Sequence, residues 1–402
     1  MTSPNPGPIL HPGPILHPGP ILHPGPILHP GPRLLIGPGR SAQLAAQLPD
    51  GPALLVTDHE VRALGLADPL LTALRAGREV IVFDAVEADP SRATLLAAVA
   101  AGREAGVVAV VGLGGGSPMD VAKLAAYLLG SGDDLEAIWG VGLARGCRLP
   151  LALVPTTAGT GSEATPVAVI TVEGAEKRGV NSPVLIPDLA LLDATLTLGM
   201  PRGLTAATGI DAMVHAIEAT TSAHARNPVS DMQAHAALRL LSANLVTACE
   251  QPGNLEARSA MLLGAHLAGL AFANAPVGGV HALAYPLGGL HHLPHGLSNA
   301  LMLGPVLAYN AVAARDTYAQ LAAILDPAAA DLGSQAAAAR LIERCGELVV
   351  ASGLKPRLRD HGIARDEAPL LAREAMKQQR LLANNPVPIG EEDARRLYEA
   401  AW

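Results

Sequence analysis

An aspartate and a histidine four positions apart carry the first chemical signal in this chain. They are Asp211 and His215, in Gly209-Ile-Asp-Ala-Met-Val-His-Ala-Ile-Glu218. That spacing sets a carboxylate and an imidazole on one face of a helix. Two further histidines stand in apolar surroundings, His281 in Gly278-Gly-Val-His281 and His295 in Pro294-His295-Gly296. One carboxylate with three imidazoles suits Fe2+ or Zn2+ and leaves a position open for a substrate oxygen. Each histidine alone reads more readily as a hydrogen-bonded core residue. The four together, in a chain that also carries an anion-binding turn, read as a metal centre.

That turn is Val110-Val-Gly-Leu-Gly-Gly-Gly-Ser-Pro-Met-Asp120. It leaves an apolar strand and enters a helix whose first turn tolerates Pro118. Gly114, Gly115 and Gly116 let the backbone approach an anion, and the helix start adds free N–H groups and the positive end of a dipole. Ser117 contributes a hydroxyl. A plain strand-to-helix turn is the alternative for so short a motif. The dinucleotide fingerprint is not matched, because no acidic residue ends a strand about 20 residues later. An acidic residue does end an earlier strand: Asp58, after Ala-Leu-Leu-Val-Thr57. It would accept from a ribose 2′-OH and repel a 2′-phosphate, favouring NAD over NADP; as a helix N-cap it would serve equally well. The polar loop Pro155-Thr-Thr-Ala-Gly-Thr-Gly-Ser-Glu163 offers the hydroxyls of Thr156, Thr157 and Thr160 after another strand. Loops at the carboxyl ends of parallel strands are where such sheets bind ligands.

The elements that must position these groups follow from periodicity. Strands are expected at Arg33–Ile36, Ala53–Thr57, Glu79–Phe83, Val107–Val111 and Leu149–Val154, with helices at Ser91–Ala105 and Pro118–Leu129 between them. This alternation predicts an α/β domain over 33–195 with a parallel, Rossmann-like sheet. Beyond about Asp193 the strand signal stops. Long Ala/Leu-rich stretches then predict an all-α, metal-binding domain over 196–402, with helices at Asp211–Thr220, Pro228–Ala248 and Leu255–Ala271. A chain of 402 residues exceeds one compact core. With only 2% aromatic residues, that core has to be built from Ala, Leu, Val and Ile.

A net charge of −8 without a basic cluster argues against nucleic acid. Cys147, Cys249 and Cys345 are odd in number and widely spaced, which excludes a disulfide framework and suits a reducing cytoplasm. Met261–Leu290 is apolar enough to suggest a membrane span. His266, Asn274, Pro276 and His281 interrupt it, so a buried helix pair is expected instead and no membrane partner. Residues 1–32 carry repeats of Gly-Pro-Ile-Leu-His-Pro without a secretory signal; the proline density predicts an extended, mobile, disordered tail.

The motifs GGGSPMD (114–120), PTTAGTGSE (155–163), ATGIDAMVHAIE (207–218) and VHALAYPLGGLHHLPHG (280–296) resemble those of the iron-containing alcohol dehydrogenase family, and the resemblance runs from Arg33 to Trp402. It implies that Asp211, His215, His281 and His295 bind the metal. It further implies that Gly114, Gly115, Gly116 and Ser117, with Asp120 in the same motif, hold a pyrophosphate. Thr156, Thr157 and Thr160 would line the cofactor groove, Asp58 would hold the adenosine ribose, and Lys177 would contact the cofactor; a solvated loop charge is the other reading of Lys177. The implied activity is hydride exchange between a small primary alcohol or aldehyde and NAD, in a homo-oligomer, dimeric or larger. One departure concerns the histidine that many members carry four residues after the third ligand, proposed to relay the alcohol proton. Here it is Tyr285, whose phenol, with a reference pKa of about 10, is a poor base at neutral pH; His291 and His292 lie nearby. Val167 and Leu381 are expected to line an apolar substrate pocket. The alternatives are a maleylacetate reductase-like enzyme, which Asn227-Pro228 resembles but which lacks the metal set, a glycerol dehydrogenase-like enzyme, and a non-catalytic nucleotide-binding protein.

Overall fold

The computed structural model describes residues 28–172 and 176–402. Its strands are β1 (Arg33–Ile36), β2 (Ala53–Val56), β3 (Val80–Phe83), β4 (Ala109–Gly114), β5 (Gly140–Val141), β6 (Leu151–Pro155), β7 (Val167–Thr171), β8 (Lys177–Asn181) and β9 (Leu189–Leu192). Six of them form a fully parallel sheet in the order β1-β9-β6-β4-β2-β3. The others form a small sheet, β5-β8-β7, in which β8 runs parallel to β5 and antiparallel to β7. Near-continuous runs such as Ala53-Leu-Leu-Val suit strands covered on both faces. Alternation along β2 divides them: Leu54 and Val56 enter one core with Leu95, Val99 and Met119, and Leu55 enters another with Leu44, Leu70 and Leu74.

The helices of this half are α1 (Ser41–Ala45), α2 (His59–Ala63), α3 (Asp68–Arg75), α4 (Arg92–Glu104) and α5 (Gly116–Ser131). From β2 the chain steps outward to β3, then returns to place β4 on the other side of β2. The strand order therefore reverses between β2 and β4, and a crevice opens beyond their carboxyl ends. Asp58 and Gly114 sit at those two ends.

Helices follow from Arg202: α6 (Arg202–Thr221), α7 (Pro228–Glu250), α8 (Leu255–Asn274), α9 (Gly279–His291), α10 (His295–Leu325), α11 (Ser334–Ser352), α12 (Ala368–Ala375), α13 (Gln379–Leu382) and α14 (Glu391–Ala401). They share one core of Ala, Leu, Val, Ile and Met with few aromatic rings. The apolar stretch from Met261 to Leu290 is two helices, α8 and α9, bent by 107° at the break between them. Among the described residues α10 is the helix long and apolar enough to cross a membrane, and 56% of its most apolar window is buried in the protein.

Several expectations are corrected. The region between Val154 and Asp193 holds three further strands, β7, β8 and β9, and a second sheet goes with them. Leu189-Ala-Leu-Leu is too short and too poor in β-branched residues to be told from helix by pattern, and Lys177-Arg-Gly-Val-Asn is too polar; pairing partners decide both. β4 runs on to Gly114 and α5 opens already at Gly116. For the repeat tail, residues 1–27 lie outside the described residues. Its last residues are anchored: His29 N donates to Asn274 Oδ1 at 2.7 Å, Asn274 Nδ2 donates to His29 O at 3.1 Å, and Gly31 packs on Leu270 of α8.

Candidate metal centre and cofactor cleft

The helix α6 supplies Asp211 and His215, the first turn of α9 supplies His281, and the first residue of α10 supplies His295. Gly296 explains how α10 reaches α6. A Cβ there would overlap the Ala207 carbonyl oxygen and come within 3.3 Å of the Asp211 Cβ, so only glycine lets the two backbones meet and delivers His295 to Asp211. The Nε2 atoms of His215, His281 and His295 lie 3.9, 3.8 and 3.6 Å from Asp211 Oδ1. One donor atom from each of the four residues falls within 4.8 Å of the others. Four ligands about 2.1 Å from a cation would stand about 3.4 Å apart, so the donor set fits a divalent metal. His295 is the open side: its side chain is 44% exposed, against 3–6% for the other three.

Electrostatics favour the liganding protonation states. Burial, reinforced by His281 and His295 and opposed by Asp211, pushes His215 down to about 3. His295 is lowered too, by desolvation within the cleft and by His281 and Lys177, against Asp211. Burial alone would raise Asp211, yet the three imidazoles and Asn299 hold it below its ordinary value. His215 lies stacked between Phe272 (4.4 Å) and His281 (4.7 Å).

Two residues absent from the sequence reading organise this set. Glu218, a further turn along the Asp211/His215 face of α6, accepts from His281 Nδ1 at 2.6 Å and from Val280 N at 2.7 Å. It thereby orients the imidazole, as carboxylates behind metal-bound histidines do. Asn299, four residues after His295, donates to Asp211 Oδ1 at 2.6 Å. Both stand at helical spacing from a ligand, the one signal that could have found them. Asn385 Oδ1 accepts from Gly279 N at 3.2 Å, so tertiary side chains cap an α9 start that has no N-cap side chain of its own.

Tyr285, one turn after His281, presents its ring edge-on to His295 at 6.1 Å. Burial raises its phenol further above neutrality. His291 and His292 end α9: His291 Nε2 is 3.1 Å from Glu367 Oε2, and His292 takes a left-handed C-cap conformation.

The sequence-derived cofactor residues mostly converge. Gly114 has φ +147°, and a Cβ on it would lie 2.7 Å from Pro118 Cγ and 3.2 Å from Asp58 Oδ2. Cβ positions at Gly115 and Gly116 would meet Thr157 (3.7 Å) and Thr160 (3.1 Å). Thr156 N donates to Gly114 O at 2.9 Å, drawing its loop to the β4 end. The start of α5 has no capping side chain, and the buried Thr157 Oγ1 has no protein partner. These free donors around a glycine floor fit an anionic cofactor. Asp58 caps α2 by accepting from Val61 N at 2.7 Å, the N-cap role the sequence allowed, and its other oxygen borders this floor.

Asp120 does not join the cradle. Its oxygens accept from Ser162 Oγ (2.6 Å) and Val169 N (2.9 Å), so it braces α5 against the threonine loop and β7. Lys177 opens a strand rather than a loop and pairs with Asp89 at 2.6 Å; both are close enough to act on His295. Val167 is half-buried and Leu381 buried. Asn227 and Pro228 form a helix start, with Asn227 Oδ1 accepting from Val229 N and Ser230 N.

A third residue that escaped notice is Lys123, fully buried, which donates to Val167 O (2.8 Å) and Thr165 Oγ1 (3.2 Å). Burial lowers it from 10.5 to about 8 despite Asp120 and Glu163. Between those two pH values the unfolded chain keeps a proton that the folded protein has released, so this group makes stability climb with pH across that window. Urea midpoints of Lys123→Met should lack that climb relative to the parent protein. An equal climb in both would show that Lys123 is not the buried charge responsible.

A parallel sheet with an anion cradle at its switch point, set against a helical half carrying a four-donor metal site, is the architecture of iron-type dehydrogenases. Residues 31–194 match the family described as iron-containing alcohol dehydrogenase, and residues 205–402 match the C-terminal part of the Fe-containing alcohol dehydrogenase family. Long-chain-alcohol dehydrogenase 1 of Geobacillus thermodenitrificans is 40% identical over 87% of this chain and 89% of its own length. The crystal structure of a 1,3-propanediol oxidoreductase superposes with a TM-score of 0.88 at 35% identity, covering 92% of this chain and 98% of that one. Sulfoacetaldehyde reductase from Bifidobacterium kashiwanohense, solved in complex with NAD+, gives 0.82 at 28% identity over 94% and 99%. The chain belongs to the iron-containing alcohol dehydrogenase family, and it is an alcohol dehydrogenase.

Proposed function

We propose that this enzyme exchanges hydride between small primary alcohols or aldehydes and NAD, with Fe2+ or Zn2+ held by Asp211, His215, His281 and His295. The observation that carries this reading is the buried four-donor set open to the cleft only at His295. A divalent cation there supplies Lewis acidity toward an alcohol or carbonyl oxygen, and NAD supplies the hydride exchange. The chain's own residues do the rest. The imidazoles of His215 and His295, lowered by desolvation, offer lone pairs rather than protons at neutral pH. Gly114, Gly115, Gly116 and Ser117 take the pyrophosphate at the start of α5. Thr156, Thr157 and Thr160 line the groove, Asp58 accepts from the ribose, and Lys177 contacts the cofactor from the rim. Val167 and Leu381 form apolar walls that favour a small, uncharged substrate.

The net charge of −8 supports a small-molecule partner rather than nucleic acid; a cytoplasmic homo-oligomer completes the reading. Metal analysis of anaerobically purified protein, run beside an alcohol and aldehyde panel with NAD and NADP, tests the proposal. Stoichiometric Fe or Zn and NAD-linked turnover are expected, with Asp58→Gly raising the NADP rate. Absence of bound metal with retained NAD affinity would instead favour a non-catalytic nucleotide-binding protein.

Tyr285 is assigned to the cleft wall. Because burial raises its phenol, it holds its proton at neutral pH and serves poorly as a base. Tyr285→Phe should keep turnover within about tenfold of the parent, whereas loss of a proton relay costs about 10²-fold or more. A drop of that larger size with metal content intact would make the phenol the relay.

A further inference from the structure

Asn299 is fully buried on α10, one turn after His295. Its Nδ2 stands 2.6 Å from Asp211 Oδ1, 3.1 Å from His281 Nε2 and 3.3 Å from His295 Nε2. The orientation of the amide is set by chemistry. An ionised carboxylate only accepts hydrogen bonds, so the NH2 end has to face Asp211, and the reverse would bring two acceptor oxygens together. The carbonyl end gains nothing from this arrangement: Asn299 Oδ1 is buried without a partner, which costs folding free energy. A fully buried amide that leaves its own acceptor unsatisfied is retained for what its donor does, and its donor engages the sole carboxylate of the metal-donor set, at the oxygen that faces all three imidazoles.

We propose that Asn299 is a positioning residue of the metal site, holding the Asp211 carboxylate in the rotamer that turns Oδ1 toward His215, His281 and His295. The proposal rests on the metal reading above. An aspartate free to turn about its side-chain bonds would deliver its one negative charge to the cation only part of the time. The amide hydrogen-bonded to Oδ1 removes that freedom, as outer partners do for metal ligands generally. Asn299 touches neither substrate nor cofactor in this role; it acts through the donor atoms it meets, Asp211 Oδ1 foremost, with the Nε2 atoms of His281 and His295 beside it.

The test is a Co2+ titration of metal-free full-length protein, followed by the visible ligand-field absorption of the bound ion and by competition with a chromophoric chelator. Asn299→Ala and the isosteric Asn299→Leu are compared with the parent and with His281→Ala. Both Asn299 variants should bind Co2+ about 10- to 100-fold more weakly, with a shifted absorption band, while NAD affinity stays within twofold. Ala opens a cavity and Leu fills the site with the same branched shape, so a defect shared by both reports the lost donor rather than a cavity. If the parent binds no Co2+, or His281→Ala binds it as the parent does, the metal reading fails. If the parent binds Co2+ and His281→Ala does not, yet either Asn299 variant keeps parental affinity and spectrum, the metal reading stands and the positioning role of Asn299 is overturned.

Discussion

Replacing His281 by alanine is expected to strip the enzyme of its divalent metal and to lower kcat/KM about 10³-fold or more. Lewis-acid stabilisation of developing charge is worth several kcal/mol, and about 1.4 kcal/mol corresponds to a factor of ten. His281 is a proposed ligand built firmly into the scaffold, 3% exposed, with Nδ1 on Glu218 and Nε2 3.8 Å from Asp211 Oδ1. Its loss removes one of four donors and leaves Glu218 without the imidazole it orients, so the remaining two imidazoles and one carboxylate should hold the cation far more weakly. The fold should survive, because the start of α9 remains capped by Glu218 at Val280 N and by Asn385 at Gly279 N. Metal stoichiometry, a circular dichroism spectrum and initial rates on one preparation check all three statements. Parental metal content and full turnover in His281→Ala would remove His281 from the site.

Gly114→Val should abolish the cofactor's purchase on the sheet while leaving the metal in place. Gly114 sits at φ +147°, a conformation that side chains with a Cβ rarely adopt. Any side chain there would also meet the Pro118 ring at 2.7 Å and Asp58 Oδ2 at 3.2 Å, in the crevice where the phosphates are proposed to lie. The NAD dissociation constant should rise about 100-fold or more, the loss expected when backbone donors at a helix start are blocked. The strain itself costs about 1–3 kcal/mol of stability, so the thermal midpoint should fall too. Gly115→Ala is the matched control. At φ −77°, with Thr157 3.7 Å from the added methyl, it accepts a side chain without strain and should bind NAD far better than Gly114→Val. Equal and parental NAD affinity in both variants would move the cofactor away from this turn.

Wherever the sequence spoke correctly, the physics was local. The Asp211/His215 pair follows from the helical repeat within one turn, and the glycine floor follows from a strand running into a helix start within a few residues. Runs of Val, Leu and Ala at Ala53–Val56 and Ala109–Gly114 announce strands covered on both faces. Asp58 stayed ambiguous for the same local reason: capping and ribose binding ask for the same carboxylate at the same strand end, and the fold has it cap α2 beside the glycine floor.

What only the tertiary structure decided lies between elements far apart in the chain. Nothing within a few residues of His281 or His295 says that they meet Asp211. The contact of Gly296 with the Ala207 carbonyl brings α10 onto α6, and Glu218 reaches from α6 to His281 of α9. Asp120 belongs by motif to the phosphate turn, yet Ser162 and Val169 N take both its oxygens once β7 packs beside α5. Lys177 finds Asp89 only because β8 lies near the loop after β3. Backbone periodicity couples residues three or four apart, so it marks which side chains share a face. The partner each face receives depends on which helix or strand packs against it, and that choice is made by burial and close packing of the whole chain.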